Sequence, residues 1–166
     1  VDPGGVNTAT IGLVRDPELN IYYLYRESLT GGLTSAEHVA ALKEATRTSN
    51  LQTVHLGARS EVQVRLDWAQ AGLRALEPPV SDVEAGIDRV ISLFKTDRLF
   101  VFDSCTGVRD ELGTYSRVLD AQGEATEQIK DKASFHRLDA LRYAVIGAVK
   151  GPKPSTPLVL GAVRGW

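Results

Sequence analysis

Helical segments alternate with short apolar runs through the middle of this chain, and this alternation constrains its fold more than any other feature. Thr34, Ser60 and Ser81 each precede a Glu or Gln by three residues, which is a helix-start signal. Short apolar runs follow or separate the predicted helices, at 51–56, 73–76 and 98–102. Strands that alternate with helices pair in parallel through crossover connections. The sequence therefore predicts parallel strands that are covered by helices.

The first 26 residues instead predict strands without intervening helices. A turn at 2–5 separates an apolar start from a β-branched run at 8–14, and an aromatic run follows at 20–26. These segments predict an antiparallel meander ahead of the parallel strands. The expected fold class is α/β, with a mixed sheet of three antiparallel strands and then parallel strands, flanked by helices.

The last third of the chain predicts a β-hairpin and a final helix. Segments 115–119 and 125–129 flank a polar turn with a glycine at 123, which is typical of a projecting hairpin. Apolar residues at helical spacing then predict a helix from 134 to 149, with one face buried.

Length and composition favour a single domain. The chain has 166 residues, of which 43% are hydrophobic, and this is enough for one core. We expect the domain to span 1–150, and a C-terminal tail at 151–166, with three prolines, to lie over the surface. Because the sequence contains no methionine, we expect it to be part of a longer protein.

Several classes of function are disfavoured by the same sequence. A net charge of −2 is not typical of a protein that coats nucleic acid, although a local basic groove stays possible. Cys105 is the only cysteine, which excludes an internal disulfide and a cysteine zinc site, and we interpret it as a structural thiol. Phosphate-binding loops, membrane spans and signal sequences are all absent, so nucleotide hydrolysis is disfavoured and a soluble protein is expected.

Two aspartates are the most informative polar residues. Asp2 stands at the end of the first predicted strand, and Asp139 lies in the last predicted helix with His136 one turn before it. A strand carboxylate and a helix carboxylate that meet across a sheet are suited to Mg²⁺ or Mn²⁺. Taken alone, Asp-Pro-Gly is more typical of a turn. Glu27, at the end of the third strand, lies where such sheets converge on a site, but we favour its interpretation as a surface carboxylate.

A family resemblance favours the interpretation of the two aspartates as a metal site. Segment 136–144, His-Arg-Leu-Asp-Ala-Leu-Arg-Tyr-Ala, closely resembles the C-terminal signature of the nuclease domain in large terminase subunits of tailed bacteriophages. Three further segments resemble motifs of that family in the same order, at 1–4, 81–87 and 111–115. The resemblance implies a ribonuclease-H-like fold of the resolvase branch, which agrees with the mixed sheet predicted above.

The resemblance also implies two divalent cations, Mg²⁺ or Mn²⁺, held by three acidic positions. Asp2 and Asp139 correspond to the first and third of them, but the second falls at Ala58, which cannot bind a metal. An engineered alanine is the interpretation that we favour here. Glu61 as the ligand in a shifted register, and a naturally impaired domain, are the alternatives. His136 is expected either to approach the metals or to be a hydrogen-bonded structural residue.

The implied activity is that of a metal-dependent endonuclease that cuts concatemeric double-stranded viral DNA by two-metal hydrolysis. By resemblance, an ATPase domain would precede Val1, the terminase small subunit and the portal protein would be partners, and the host cytoplasm would be the location. Lys130, Lys132, Arg137 and Arg142 are expected to face the DNA backbone, with a solvated basic face as the alternative. For Arg142, the alternative to DNA contact is also an ion pair with an internal carboxylate of the protein.

Two rival functions stay open at this point. One is a resolvase-type nuclease of the same fold, which would need a dimer interface and a denser set of carboxylates. The other is a ribonuclease-H-like module that docks onto DNA or a packaging partner without cutting, and Ala58 is the residue that favours it.

Overall fold

The structure is a computed structural model that describes residues 1–150, so the predicted tail at 151–166 lies outside the described residues. The main sheet has the strand order β1-β2-β3-β4. Its strands are β1 (Asp2–Pro3), β2 (Asn7–Asp16), β3 (Ile21–Gly31) and β4 (Leu99–Val101). The first three strands pair antiparallel, and β4 pairs parallel to β3. The predicted α/β mixed sheet is therefore confirmed.

Five helices and a separate hairpin complete the described part of the fold. The helices are α1 (Ser35–Ala45), α2 (Val62–Gln70), α3 (Val83–Lys95), α4 (Thr106–Thr114) and α5 (His136–Lys150). The hairpin strands β5 (Arg117–Leu119) and β6 (Ala125–Ile129) pair only with each other within residues 1–150, which confirms the predicted hairpin. No helix in this range is long and apolar enough to cross a membrane.

The larger apolar core lies between the sheet and helices α3, α4 and α5. Tyr22 and Leu24 alternate along β3 and point to the same side, where they meet Leu141 and Val145 of α5. Cys105 is 1% exposed in this core, which agrees with a structural thiol. A second core beneath α1 and α2 is built around Trp68. Because α5 anchors the larger core, its position relative to the sheet is fixed by apolar packing.

Two predicted strands are much shorter than the sequence indicated. The runs at 51–56 and 73–76 meet in one parallel bridge, between His55 and Leu76. Leu76 donates to the carbonyl oxygen of Val54 at 2.7 Å and accepts from the nitrogen of Leu56 at 2.9 Å. The pairing then stops, because two consecutive prolines follow at 78–79 and proline has no N–H to donate. Parallel pairing is thus present here, but the strand lengths were wrong.

The N-caps of the first three helices lie at the predicted residues or one residue away. Thr34 and Glu37 form the predicted capping box of α1. The N-cap of α2 is Glu61 rather than Ser60, and α3 is capped by the carboxylate of Asp82 rather than by Ser81. Both shifts are by one residue. At α3 the aspartate competes directly with the neighbouring serine, since both residue types are favoured at N-caps.

Candidate metal centre

The candidate site begins at β1, which lies between two other backbone segments. On one side β1 pairs with β2, and Asp2 lies opposite Ala9. On the other side the Val1 nitrogen donates to the carbonyl oxygen of His55 at 2.7 Å, and the Gly57 nitrogen donates to the carbonyl oxygen of Val1 at 3.0 Å. Asp2 therefore lies in the interior of the paired backbone, and only 9% of its surface is exposed.

Helix α5 brings His136 and Asp139 to this strand. His136 Nδ1 and Asp2 Oδ2 form a hydrogen bond of 2.9 Å. Burial raises the pKa of Asp2 above its ordinary value, the hydrogen bond with His136 lowers it, and the negative charge of Asp139 raises it. A like charge raises a carboxyl pKa only when the two groups are close together. The structure thus gathers the three residues that the sequence selected as a site.

A buried arginine holds Asp139 in place. Arg142 donates to Asp139 Oδ1 from Nη2 at 2.9 Å and from Nε at 3.3 Å, and its guanidinium lies 4.5 Å from the ring centroid of Tyr143. Gly86, in the motif at 81–87, leaves room for the stem of Arg142, since a Cβ there would lie 2.7 Å from Arg142 Cδ. Arg142 therefore has the internal carboxylate partner that was one of its two expected roles.

Ala58 lies in the same cleft as Asp139. The cleft has a volume of about 130 Å³, and residues from the 57–59 loop, the segment at 78–83 and helix α5 line it. Position 58, where the second acidic ligand was expected, is therefore close to Asp139, which corresponds to the third. The methyl group of Ala58 has no atom that can bind a metal ion.

Glu61 is the third carboxylate of this region. Its Oε2 accepts a hydrogen bond from the backbone nitrogen of Ala58, three residues before it. Burial raises the pKa of Glu61, and the charges of Asp2 and Asp139 raise it as well, against the hydrogen bond from Ala58 and the positive charge of Arg65. Glu61 is therefore close enough to both aspartates for their charges to oppose its ionisation.

These carboxylates fit a divalent cation by their chemistry. Oxygen donors are the preferred ligands of Mg²⁺ and Mn²⁺, and a cation would neutralise the repulsion among Asp2, Glu61 and Asp139. As the side chains stand, no three His, Cys, Asp or Glu side chains within residues 1–150 converge closely enough to hold an ion. Metal binding by all three carboxylates therefore requires a side chain to change its rotamer.

The residues expected to contact DNA are placed in two different environments. Lys130 and Lys132 are exposed, at the end of β6 and at the turn before α5. Lys132 also lines the cleft that contains Asp139. Arg137 instead lies against Glu111, with Nη1 at 3.1 Å from Oε1, and Glu27, with Nε at 3.5 Å from Oε2. Its guanidinium is thus occupied by two carboxylates of the protein.

Glu27 has a structural role that the sequence did not reveal, and its interpretation as a surface carboxylate was wrong. Its side chain is 11% exposed and accepts from the backbone nitrogens of Gly107 and Val108, at 2.6 and 2.7 Å, at the start of α4. Free N–H groups at a helix N-terminus attract a carboxylate. The contact spans 80 residues of sequence, so no local pattern around Glu27 could have predicted it.

Comparisons by sequence and by structure give different results. No protein-family model matches this chain, and no curated protein matches its sequence. The fold, by contrast, is similar to solved structures of phage proteins. The P22 large terminase nuclease domain has a TM-score of 0.70 and 24% identity, over 89% of this chain and 78% of that one.

Two further structures agree with this match. The large terminase nuclease domain from bacteriophage SPP1, with bound Mn, has a TM-score of 0.67 and 17% identity, over 86% of this chain and 81% of that one. A large terminase from a thermophilic bacteriophage has a TM-score of 0.71 and 20% identity, over 89% of this chain but 38% of that one. This chain therefore has the ribonuclease-H-like α/β fold of the nuclease domain of phage large terminases.

Proposed function

We propose that this chain is a divalent-metal-dependent endonuclease domain that cuts double-stranded DNA during viral genome packaging. The observation that carries the proposal is the 2.9 Å hydrogen bond between Asp2 on β1 and His136 on α5, which places Asp139, one turn further along the helix, near Asp2 in this fold. The Mn in the SPP1 domain supports a divalent cation as the cofactor. For the whole protein, the proposal includes an ATPase domain, the terminase small subunit and the portal protein as partners.

Asp2 and Asp139 would hold two Mg²⁺ or Mn²⁺ ions. When bound, such ions activate a water molecule and stabilise the leaving oxygen of a phosphodiester. His136 orients the carboxylate of Asp2 through their hydrogen bond. Arg142 fixes Oδ1 of Asp139, so the other oxygen of that carboxylate is free of this contact. Both contacts restrict the rotamers of the two aspartates before a metal ion arrives.

Lys130 and Lys132 are the residues that we assign to the DNA backbone. Both side chains are exposed, and Lys132 lines the cleft beside Asp139. A lysine binds phosphate through its charge alone, so these contacts would hold DNA of any sequence. Weak binding is sufficient in a packaging protein whose motor domain keeps DNA at a high local concentration.

The test is cleavage of a supercoiled plasmid by the purified chain, with Mn²⁺ or Mg²⁺ and then with excess chelator. We expect metal-dependent nicking that Asp139→Asn removes and that Asp110→Asn, at an exposed aspartate on α4, leaves unchanged. Cleavage that continues in excess chelator would rule out the metal mechanism.

A second function, DNA docking without cleavage, is favoured by one observation, the alanine at position 58 in the cleft. Under that alternative the chain binds DNA but cuts none with either metal. Ala58→Asp then distinguishes a lost ligand from a lost function. Cleavage that appears only in this variant indicates a nuclease that lacks its second ligand, whereas no cleavage in either protein supports docking.

A further inference from the structure

We propose that Glu61, at the start of α2, supplies the third carboxylate of the metal site, in place of a ligand at position 58. This inference rests on the proposed function, because it concerns the same site and the same cations. It makes the alanine at 58 a native feature of a complete site. It also replaces our preferred interpretation of the sequence, in which Ala58 was an engineered loss.

The first argument is the path of the backbone. The Gly57 nitrogen is bound to the carbonyl oxygen of Val1, so the loop that leads to α2 starts beside Asp2. Gly57 has a φ of +67°, a conformation that side chains other than glycine rarely adopt, and this turn redirects the chain. Residues 58–61 therefore stay close to the end of β1, and the first residue of that region with a carboxylate is Glu61.

The second argument is the direction of the Glu61 side chain. Its carboxylate folds back over Gly57 and accepts from the nitrogen of Ala58, so a Cβ on Gly57 would collide with it. A carboxylate from the helix thus lies against the backbone of the very residue from which the expected ligand would have projected. Glutamate has one methylene more than aspartate, and this added reach compensates for its position three residues later.

The third argument is what holds the loop. Arg65, one turn into α2, donates to the carbonyl oxygens of Leu56, Ala58 and Arg59 at 3.0, 2.7 and 2.9 Å. Its side chain is 10% exposed, and its Nη2 also lies 3.9 Å from Oε2 of Glu77. It therefore fixes the loop while forming no hydrogen bond to the Glu61 carboxylate within the described residues. Glu61 is left beside two aspartates, an arrangement that a divalent cation would stabilise.

The hydrogen bond to Ala58 does not prevent metal binding. Only Oε2 of Glu61 accepts it, so a single hydrogen bond holds the present rotamer of this side chain. A rotation about the side-chain bonds of Glu61 would give up this single hydrogen bond, and it would be needed to bring the carboxylate toward Asp2 and Asp139. This is the rotamer change that convergence of three ligands requires.

The test is titration of the purified chain with Mn²⁺, measured by isothermal titration calorimetry. We expect Glu61→Gln, which keeps an oxygen for the Ala58 nitrogen, to weaken Mn²⁺ binding by at least about tenfold. Glu61→Asp should weaken it as well, because the shorter side chain loses reach. Glu124→Gln, at an exposed glutamate in the turn of the hairpin, should bind Mn²⁺ as the parent does. Ala58→Asp in the Glu61→Gln protein should restore binding.

The outcomes separate this inference from the proposed function. If Asp139→Asn loses Mn²⁺ but Glu61→Gln and Glu61→Asp bind it as tightly as the parent, Glu61 is not a ligand and the proposed function stands. If the parent itself binds no Mn²⁺ at millimolar concentration, both proposals fail. Melting temperatures of all variants, measured without metal, show whether each protein is folded before it is titrated.

Discussion

The carboxylates on the two sides of the α5 N-terminus are stabilised to different extents. On one side Arg137 lies between Glu27 and Glu111, and both glutamates also accept backbone N–H groups. Burial raises the pKa of Glu111, while the hydrogen bonds from Leu138 and Arg137 lower it. Both carboxylates of this cluster thus accept hydrogen bonds from the backbone in addition to their contact with Arg137, as most buried polar groups in stable cores do.

On the other side, the carboxylates oppose one another's ionisation, although the charge of Arg65 acts on Glu61 and Arg142 pairs with Asp139. Asp2, Glu61 and Asp139 lie near one another, and the charges of both aspartates raise the pKa of Glu61. Arg142 neutralises Asp139, and His136 does so for Asp2 only if its ring is protonated. Like charges close together in a partly buried place cost stability, and proteins retain such places where they bind or react.

The difference teaches how to separate a structural cluster from a functional one on the same helix. Both contain carboxylates, an arginine and hydrogen bonds between distant segments. What distinguishes them is the environment of the carboxylates. Both glutamates of the Arg137 cluster accept backbone N–H groups, whereas the carboxylates of the Asp2 cluster raise one another's pKa, which a cation would relieve. The following substitutions should therefore affect stability on one side and activity on the other.

The largest expected effect is on stability, in the Arg137 cluster. Arg137→Met keeps the bulk of the side chain but leaves Glu27 and Glu111 without their cation, and breaking a largely buried pair costs about 3–5 kcal/mol. Because the Arg137 side chain is 23% exposed, we expect the lower end of this range. The measurement is urea unfolding at neutral pH.

The matched control for Arg137→Met is Arg109→Met. Arg109 pairs with Asp103, but their side chains are 55% and 101% exposed, so the free energy of unfolding should change by less than about 0.5 kcal/mol. Equal losses in both variants would show that the buried cluster contributes no more than a surface ion pair.

The second effect is on activity, in the Asp2 cluster. Asp2→Asn should reduce metal-dependent cleavage by about 100-fold or more, while the melting temperature of the metal-free protein stays the same or rises. The asparagine removes a buried charge that Asp139 repels, yet it keeps an oxygen for His136. Plasmid nicking and a melting curve on the same preparation test both statements. Loss of stability in parallel with activity would mean that Asp2 serves the fold.

The third effect is the pH dependence of stability in the absence of metal. The pKa values of Asp2 and Glu61 are raised in the folded state, from ordinary values of 3.8 and 4.5. A raised carboxyl pKa favours the folded state fully below the ordinary value, and this advantage is lost as pH rises through the folded value. These two groups should therefore lower stability as pH rises above about 4, until both are ionised.

Manganese should reverse that trend, since it binds ionised carboxylates and only the folded protein gathers them. We expect the rise in melting temperature caused by Mn²⁺ to be larger at pH 7 than at pH 5. Asp2→Asn should reduce the difference between the two pH values. A shift of equal size at both pH values would indicate that the metal binds elsewhere.

Local signals in the sequence predicted local structure well. The capping box of Thr34 and Glu37 lies within one turn, and it was confirmed because both partners are three residues apart. The run at 51–56 predicted a strand but formed one bridge, because its partner segment ends at consecutive prolines. The extent of a strand depends on a partner that the local pattern does not contain.

The placement of the candidate site residues could be predicted only in part, for the same reason. Asp2 and Asp139 could be selected from the resemblance, and their meeting follows from α5 packing against β1. Glu61 was only an alternative metal ligand in the sequence analysis. Its position near the end of β1 depends on the positive φ of Gly57 and on the hydrogen bond from Gly57 to Val1. Neither feature is encoded by residue spacing.

The smallest expected effect concerns DNA, and it tests whether the exposed lysines contact the phosphate backbone. Lys130→Ala and Lys132→Ala should each weaken DNA binding modestly and equally for all DNA sequences. Each should also reduce the slope of the log binding constant against the log salt concentration by about one, since one phosphate contact is lost. Lys95→Ala, at an exposed lysine on the end of α3, is the control and should leave the slope unchanged. Binding isotherms across a salt series measure all three variants. Because the chain has a net charge of −2, its parent affinity should be weak. Tight, salt-insensitive binding by the parent would contradict backbone contacts through these lysines and favour a sequence-specific docking surface.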